Sequence, residues 1–283
     1  MYRSAPTSVT TTARRTAILF CAAVLTLSGC AGTAPVARTT PALSAEQIAS
    51  LIASPDRSAA DRTNDARRKP VQLLEFLAIH PGMMALDLSA GGGYTSELLA
   101  RAVGPAGRVY GQSAPRNPAA VAPAAPEGGS APAVLSAPRP ASVPSPVALA
   151  ERARKAGLGN LMAVVQPFEN PVPAAAGQQL DLVTLMFNYH DLGHMGVDRA
   201  AMNRAVFTAL KPGGTYVIGD HAGRAGTGIS EAGTLHRIDE QFLRREIEAA
   251  DLSLWPKPVF CAIRPIHAIA IPRSRCKLRM TSS

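Results

Sequence analysis

The segment MALDLSAGGGYTSELLARAVGPAGRVYGQS, residues 84–113, decides how the chain is interpreted. An apolar run around Asp87 ends in a glycine-rich stretch, and apolar residues at helical spacing follow over 98–103. A Pro-Ala-Gly turn then leads into a second apolar run at 108–111. This pattern predicts a strand, a glycine loop, a helix, a turn and a second strand. The N-terminus of a helix behind such a loop is a place where backbone can approach a ligand.

The rest of the chain repeats this alternation. Strands separated by helices predict an α/β domain with a mostly parallel, twisted sheet and helices on both faces. Ser44, with Gln47 three residues on, predicts a capped helix start. We further predict helices over 71–79, 147–158, 198–210 and 237–249, and strands over 160–166, 181–187 and 215–221.

The first thirty residues have the features of an export signal. Arg14 and Arg15 precede the apolar stretch TAILFCAAVLTLSGC, which is too short to span a bilayer comfortably. Its end, Leu-Ser-Gly-Cys30, resembles the lipobox of bacterial lipoproteins, in which the cysteine is lipid-modified and the leader is cut just before it. Ala31 in place of Asp favours the outer membrane by the same resemblance. An ordinary secretory signal and an uncut signal-anchor are the alternatives.

These features divide the chain into four parts. We expect a signal peptide at 1–29, a lipidated tether at 30–43, a single domain at 44–255 and a divergent basic tail at 256–283. Within the domain, residues 114–146 are mostly Ala, Pro, Ser and Gly, which predicts a disordered insert. In the tail, Pro265 argues against a central strand.

Charge and cysteine content exclude some classes of function. The net charge of +9 comes from the two ends of the chain, and the central part carries 20 basic and 20 acidic residues. A neutral central part argues against a nucleic-acid-binding surface. No C-x-x-C pair or His/Cys cluster has the spacing of metal ligands, so we predict no metal site.

A dinucleotide-binding fold is the nearest alternative for the glycine loop. Gly91 and Gly93 match the first two glycines of G-x-G-x-x-G, but Ser96 stands at the third. Gln112 stands where an acid is expected after the second strand. A nicotinamide-dependent oxidoreductase is therefore disfavoured.

The wider pattern resembles class I S-adenosylmethionine (SAM)-dependent methyltransferases. The motifs are DLSAGGGYT at 87–95, LDLVTLMFNYHDL at 180–192 and LKPGGTYVIGDH at 210–221. Together with GDHAGRAGTG and TLHRIDEQFLRREIEAADL, they are similar to a family of bacterial methyltransferases that are often exported. The resemblance spans roughly residues 45–255 apart from the insert, and it implies a Rossmann-like fold and SAM as cofactor.

The resemblance also assigns cofactor-binding residues. It implies that the glycine loop approaches the methionine part of SAM, that Gln112 reaches the ribose and that Phe168 packs on adenine. Asp87 would orient the loop or meet the amino end of the cofactor. The alternatives are a tight turn without a ligand for the glycines, turn hydrogen bonds for Asp87 and core packing for Phe168. The cofactor-binding set is Asp87, Ser89, Gly91, Gly93, Gln112 and Phe168.

Catalytic candidates follow the fourth and fifth strands, where open α/β sheets place their ligands. Asn188, His190 and Asp191 leave the fourth strand, and His221 follows Asp220 on the fifth. A neutral imidazole suits removal of a proton from a methyl acceptor. A surface or loop-capping role is the alternative for each histidine.

The function expected from the sequence is methyl transfer from SAM to a small molecule, by a lipoprotein on the periplasmic face of the envelope. SAM is a cytoplasmic metabolite, so the alternative is a non-catalytic envelope lipoprotein that keeps the fold to bind a ligand or partner. We expect no nucleic-acid partner, and the sequence leaves the oligomeric state open.

Overall fold

The computed structural model describes residues 40–116 and 143–250, and the backbone of 266–272. The predicted signal peptide, Cys30, the centre of the insert and most of the tail lie outside the described residues. No helix among the described residues is both long and apolar enough to cross a membrane. The helices are α1 (Ala45–Ile52), α2 (Ala59–Arg68), α3 (Pro70–Phe76), α4 (Tyr94–Val103), α5 (Ser145–Lys155), α6 (Tyr189–His194), α7 (Arg199–Ala209), α8 (Ala232–Leu235) and α9 (Glu240–Glu248), with a short 3-10 turn at Ala174–Ala176.

Six strands form one sheet in the order β3-β2-β1-β4-β5-β6. The first five are parallel, and β6 runs antiparallel to β5, so the mostly parallel α/β fold predicted from the sequence is confirmed. Among the described residues β6 is an edge strand. The strands are β1 (Met84–Leu88), β2 (Arg108–Ser113), β3 (Leu161–Val165), β4 (Leu180–Met186), β5 (Leu210–His221) and β6 (Ile266–Pro272).

The sheet separates two apolar cores. One contains buried residues of α1, α3, α4 and α5, including Leu99 and Leu149, and the other contains residues of α6, α7 and α9. Neighbouring residues of β1 point to opposite cores: Ala85 belongs to the first and Leu86 to the second. Because both faces of the central strands are covered, these strands are apolar without a polar face.

Most element boundaries agree with the prediction to within three residues, and the start of the strand predicted at 215–221 differs by more. β5 already starts at Leu210, and its pairing with β4 contains an irregularity there. The last long helix starts at Glu240 because the side chain of Asp239 caps it by accepting a hydrogen bond from the Gln241 N–H. The capping box of Ser44 and Gln47 at α1 is present as predicted.

Candidate functional site

The carboxyl ends of β1, β2 and β4 open into a cleft made of two adjoining cavities. The first, about 430 Å³, lies between the β1–α4 loop, the end of α2 and the end of β4. The second, about 440 Å³, lies over the end of β2 and extends to Phe168. Ser89, Gly91 and Asn188 line both cavities. The glycine loop predicted to meet a ligand therefore lies at the junction of the two.

Asp87 is buried at the base of the first cavity and ties three elements together. Its carboxylate accepts hydrogen bonds from Ser96 Oγ of α4 (2.6 Å) and Thr184 Oγ1 of β4 (2.8 Å). Burial raises its pKa from 3.8 to about 6, against the opposing effect of these two hydroxyls and of the nearby Arg68. The carboxylate thus fixes the start of the loop through side chains of α4 and β4.

The raised pKa of Asp87 predicts how stability depends on pH. The folded state binds the Asp87 proton more tightly than the unfolded chain does. The protonated carboxyl therefore contributes to the free energy of unfolding below the unfolded pKa, and this contribution is lost as the pH rises to about 6. Asp87→Asn removes the ionisation. We expect its stability relative to the wild type to rise by up to about 3 kcal/mol between about pH 4 and pH 7, measured by urea denaturation.

Asp56→Asn is the control for this experiment. Hydrogen bonds from Arg101 and Ser54 lower the pKa of Asp56 to about 2, below the range tested. The difference in free energy of unfolding between Asp56→Asn and the wild type should therefore stay nearly constant between about pH 4 and pH 7. A constant difference for Asp87→Asn as well would contradict the raised pKa.

The two glycines assigned to the cofactor have different surroundings. Gly91 has a φ of +55°, and a Cβ there would point into open space, with nothing nearer than Ser89 O at 4.0 Å. Gly93 has a φ of +84°, but a Cβ there would collide with Leu149 Cδ1 and approach Arg152 Cδ to 3.1 Å. Gly91 therefore leaves open space beside the loop, whereas Gly93 packs against α5.

The packing role of Gly93 can be separated from its backbone conformation. Gly82 has nearly the same φ, +85°, and a Cβ at that position would have no neighbouring atom within 4 Å. Because only Gly93 meets a neighbouring side chain, we expect Gly93→Ala to lose about 1–3 kcal/mol more stability than Gly82→Ala in urea denaturation. The difference should shrink when both alanine variants are made in a Leu149→Ala background and compared there. Equal losses for the two alanine variants would exclude the packing role.

Gln112 does not face the cleft. Its Oε1 accepts a hydrogen bond from the Ser89 N–H at 3.0 Å, and its Nε2 donates to Gln166 O at 2.6 Å. The Gln112 side chain is fully buried, so it is not exposed to a ribose as the resemblance implied. It holds the glycine loop in place instead. Ser113, the next residue, lines the second cavity, and its buried Oγ is among the described side-chain atoms without a hydrogen-bond partner.

Phe168 lies where core and cleft meet. Its side chain is mostly buried in the core beside α6 and α7, yet it also lines the second cavity. Both interpretations of this residue, core packing and a wall of the cleft, are therefore compatible with its position.

Arg68, at the end of α2, was not identified from the sequence. It lines the first cavity, and its guanidinium lies 4.5 Å from the ring centroid of Phe187 and 5.5 Å from that of Tyr94. Burial lowers its pKa, but arginine remains charged. Among the described residues, no carboxylate forms an ion pair with Arg68. A half-buried cation without an anionic partner indicates a place for a ligand carboxylate or other anion.

His190 is held in a fixed orientation by Asp220. One carboxylate oxygen of Asp220 accepts from the His190 backbone N–H at 2.8 Å, and the other lies 2.6 Å from His190 Nδ1. Burial lowers the pKa of His190, but the hydrogen bond and charge of Asp220, with Asp191, outweigh it and leave the pKa raised. The predicted candidates at the ends of β4 and β5 are thus brought together.

Other histidines surround His190. His236 Nδ1 lies 2.9 Å from Asp191 Oδ1, which is also 3.2 Å from His190 Nε2. The centroid of the His221 ring lies 6.1 Å from the centroid of the His190 ring and 5.4 Å from that of the Phe187 ring. Burial lowers the pKa of His221, so it is neutral near pH 7. Because Phe187 lines the first cavity, this histidine cluster adjoins the cleft.

Comparison with protein-family profiles finds no match, and comparison with curated proteins finds none either. Several solved structures are similar in fold. A SAM-dependent methyltransferase from Aquifex aeolicus superposes with a TM-score of 0.51 and 16% identity, over 81% of this chain and 97% of its own. The mitomycin 7-O-methyltransferase MmcR gives 0.49 and 15%, over 76% and 59%. Aeropyrum pernix fibrillarin, whose structure contains SAM, gives 0.41 and 16%, over 68% and 67%.

At these identities the similarity concerns the fold alone. The strand order, the glycine loop after β1 and the superposition on the Aquifex aeolicus protein agree with one another. The chain therefore has the Rossmann-like fold of class I methyltransferases.

Proposed function

We propose that this protein transfers a methyl group from SAM to a small-molecule acceptor. The observation that best supports the proposal is the cleft itself. It continues from Arg68 and Asp87, past the open side of Gly91, to Ser113 and Phe168. An elongated cofactor with a charged amino-acid end and an apolar base at the other end matches this order of side chains.

Two independent features of the cleft fit such a cofactor. The buried Ser113 Oγ needs a hydrogen-bond partner that the described protein atoms do not supply, and a ribose hydroxyl is a suitable one. The missing side chain of Gly91 leaves space beside the loop. Arg68 would bind the carboxylate of the methionine part, and Phe168 would contact adenine. When bound, the cofactor supplies an electrophilic methyl group.

The histidine cluster would receive the acceptor. Methyl transfer needs the nucleophilic atom of the acceptor to lie in line with the methyl group, so positioning supplies much of the rate. Asn188 lines both cavities and leads directly into the cluster, where His190 and Asp191 would orient the acceptor. His221, kept neutral by burial, is placed to take a proton from it.

Binding of SAM tests the first half of the proposal. We expect Arg68→Met to weaken SAM binding by about tenfold or more, because a charge-assisted hydrogen bond to the carboxylate is lost. Arg67→Met is the matched control, since Arg67 is exposed on the same helix and lines neither cavity of the cleft. Calorimetry with the purified protein measures both. Equal affinities of the two variants would remove Arg68 from the site.

Label transfer from methyl-labelled SAM to an extract of small molecules tests the second half. His221→Asn should keep SAM binding and lower turnover by roughly 10²-fold if His221 removes a proton. Binding without transfer to any acceptor would favour the second candidate, a non-catalytic ligand-binding protein. That candidate is supported by the end of β2, Gln112-Ser113, which offers the cleft a hydroxyl and no acid.

We also propose that the protein is anchored in the cell envelope through a lipid on Cys30, on the periplasmic side of the outer membrane. The support is the sequence around Cys30 alone. Cys30→Ala should move the protein from the membrane fraction to the soluble fraction after cell fractionation. Retention of the variant in the membrane fraction would favour an uncut signal-anchor.

A further inference from the structure

Two imidazole rings and a carboxylate converge beside the cleft, at the ends of β4 and β5. One ligand atom from each of His190, Asp191 and His236 lies within 4.8 Å of the other two. His190 and Asp191 lie in the first turn of α6, and His236 follows α8, so residues distant in sequence meet. We propose that these three residues bind a divalent transition-metal ion.

The hydrogen bonds of Asp220 determine which nitrogen of His190 is free. Asp220 accepts from the backbone N–H groups of His190 and His221, so its carboxylate acts as an acceptor. His190 Nδ1, 2.6 Å from Asp220, is therefore the protonated nitrogen in the neutral ring. His190 Nε2 then presents a lone pair to Asp191 Oδ1 at 3.2 Å. Two electron-rich atoms in contact need a cation or an additional proton between them.

Two of the three separations between ligand atoms suit a metal ion, and the third, between the two histidines, is within 4.8 Å. Bonds of about 2.0–2.2 Å to nitrogen and oxygen place neighbouring ligand atoms about 3–3.5 Å apart around a tetrahedral ion. Asp191 Oδ1 lies 3.2 Å from His190 Nε2 and 2.9 Å from His236 Nδ1. The carboxylate of Asp220 behind His190 is the outer partner that metal-binding histidines usually have, and it fixes ring orientation.

The position of His236 agrees with this assignment. His236 ends α8 in the left-handed conformation that is common at helix C-termini, with a φ of +51°, and its ring nitrogen Nδ1 lies against Asp191. Its side chain is 61% exposed, so packing in the core does not explain its position.

The donor set indicates the kind of ion. Imidazole ligands suit zinc, iron, copper or nickel, whereas magnesium and calcium prefer oxygen ligands. Three protein ligands leave coordination positions open, as in catalytic zinc sites. A hydroxyl or carboxylate oxygen of the acceptor could take one of them, and this role of the ion rests on the proposed methyl transfer. Binding of the ion itself does not.

This inference departs from the absence of a metal site expected from the sequence. That expectation considered short-range spacing of cysteine and histidine, whereas His236 reaches the site only through the fold. Four of the five histidines whose side chains the structure describes lie in the cluster. The fifth, His80, lies before β1 at the opposite end of the sheet and serves as a control.

The test is titration of chelator-treated protein with Zn²⁺ alone, by calorimetry, without SAM. We expect one ion per chain in the wild type and in His80→Gln. His236→Gln and Asp191→Asn should bind at least about tenfold more weakly, and Asp220→Asn about 10–100-fold more weakly. His236→Gln changes an exposed side chain, so it should fold normally, which circular dichroism checks. Co²⁺ in place of Zn²⁺ reports the geometry through its visible absorption.

Equal Zn²⁺ affinity of the wild type and His236→Gln, or no binding by the wild type, would overturn the metal site and leave a proton as the bridging cation. SAM binding by chelator-treated protein is measured separately. SAM binding without Zn²⁺ binding would refute the inference alone, and Zn²⁺ binding without SAM binding would refute the proposed function alone.

Discussion

The buried carboxylate of Asp87 connects the centre of the sheet to the cleft. It lies on β1, between Gly111 of β2 and Thr184 of β4, and accepts hydrogen bonds from Thr184 and from Ser96 of α4. Since a buried carboxylate is unfavourable without such partners, its position requires both hydroxyls. The loop between β1 and α4 is thereby held at both ends, and the neighbouring cavity takes its shape from this loop.

Ionic contacts from outside the sheet complete the support of the loop. Arg152 of α5 donates from Nε to Gly92 O at 2.6 Å, and its Nη1 lies 2.7 Å from Glu97 of α4. The same guanidinium pairs with Asp61 of α2. Three helices and the sheet are thus connected through contacts to one loop. A loop held by many contacts has less conformational entropy to lose when it binds a ligand.

Local sequence patterns predict most of the strands and helices. They predict fewer of the side chains that line the cleft. Apolar runs and helical spacing identify the strands and helices, because burial on both sheet faces leaves a strong pattern. Side chains of a strand alternate between its faces, so an error of one residue in the assignment changes which side chain is expected at the ligand. Gln112 was assigned to the cofactor and is internal, whereas the next residue, Ser113, lines the cleft. Arg68 lines the cleft, and His236 reaches Asp191, only through contacts between distant segments. His236 lies in one of the motifs that carry the resemblance, but neither residue has a local pattern that predicts these contacts.

The end of β4 shows how one backbone feature joins the cleft to the histidine cluster. Phe187 has a φ of +61°, which is a genuine outlier for a bulky residue, and its N–H donates to Gly219 O at 2.6 Å. This conformation ends the strand and turns the chain, so that Asn188 lines the cleft while His190 reaches Asp220. Arg68 packs over the Phe187 ring. A strained residue enclosed in this way persists because its neighbours determine its conformation. The two halves of the site therefore depend on the same turn, and a change at Phe187 would alter both.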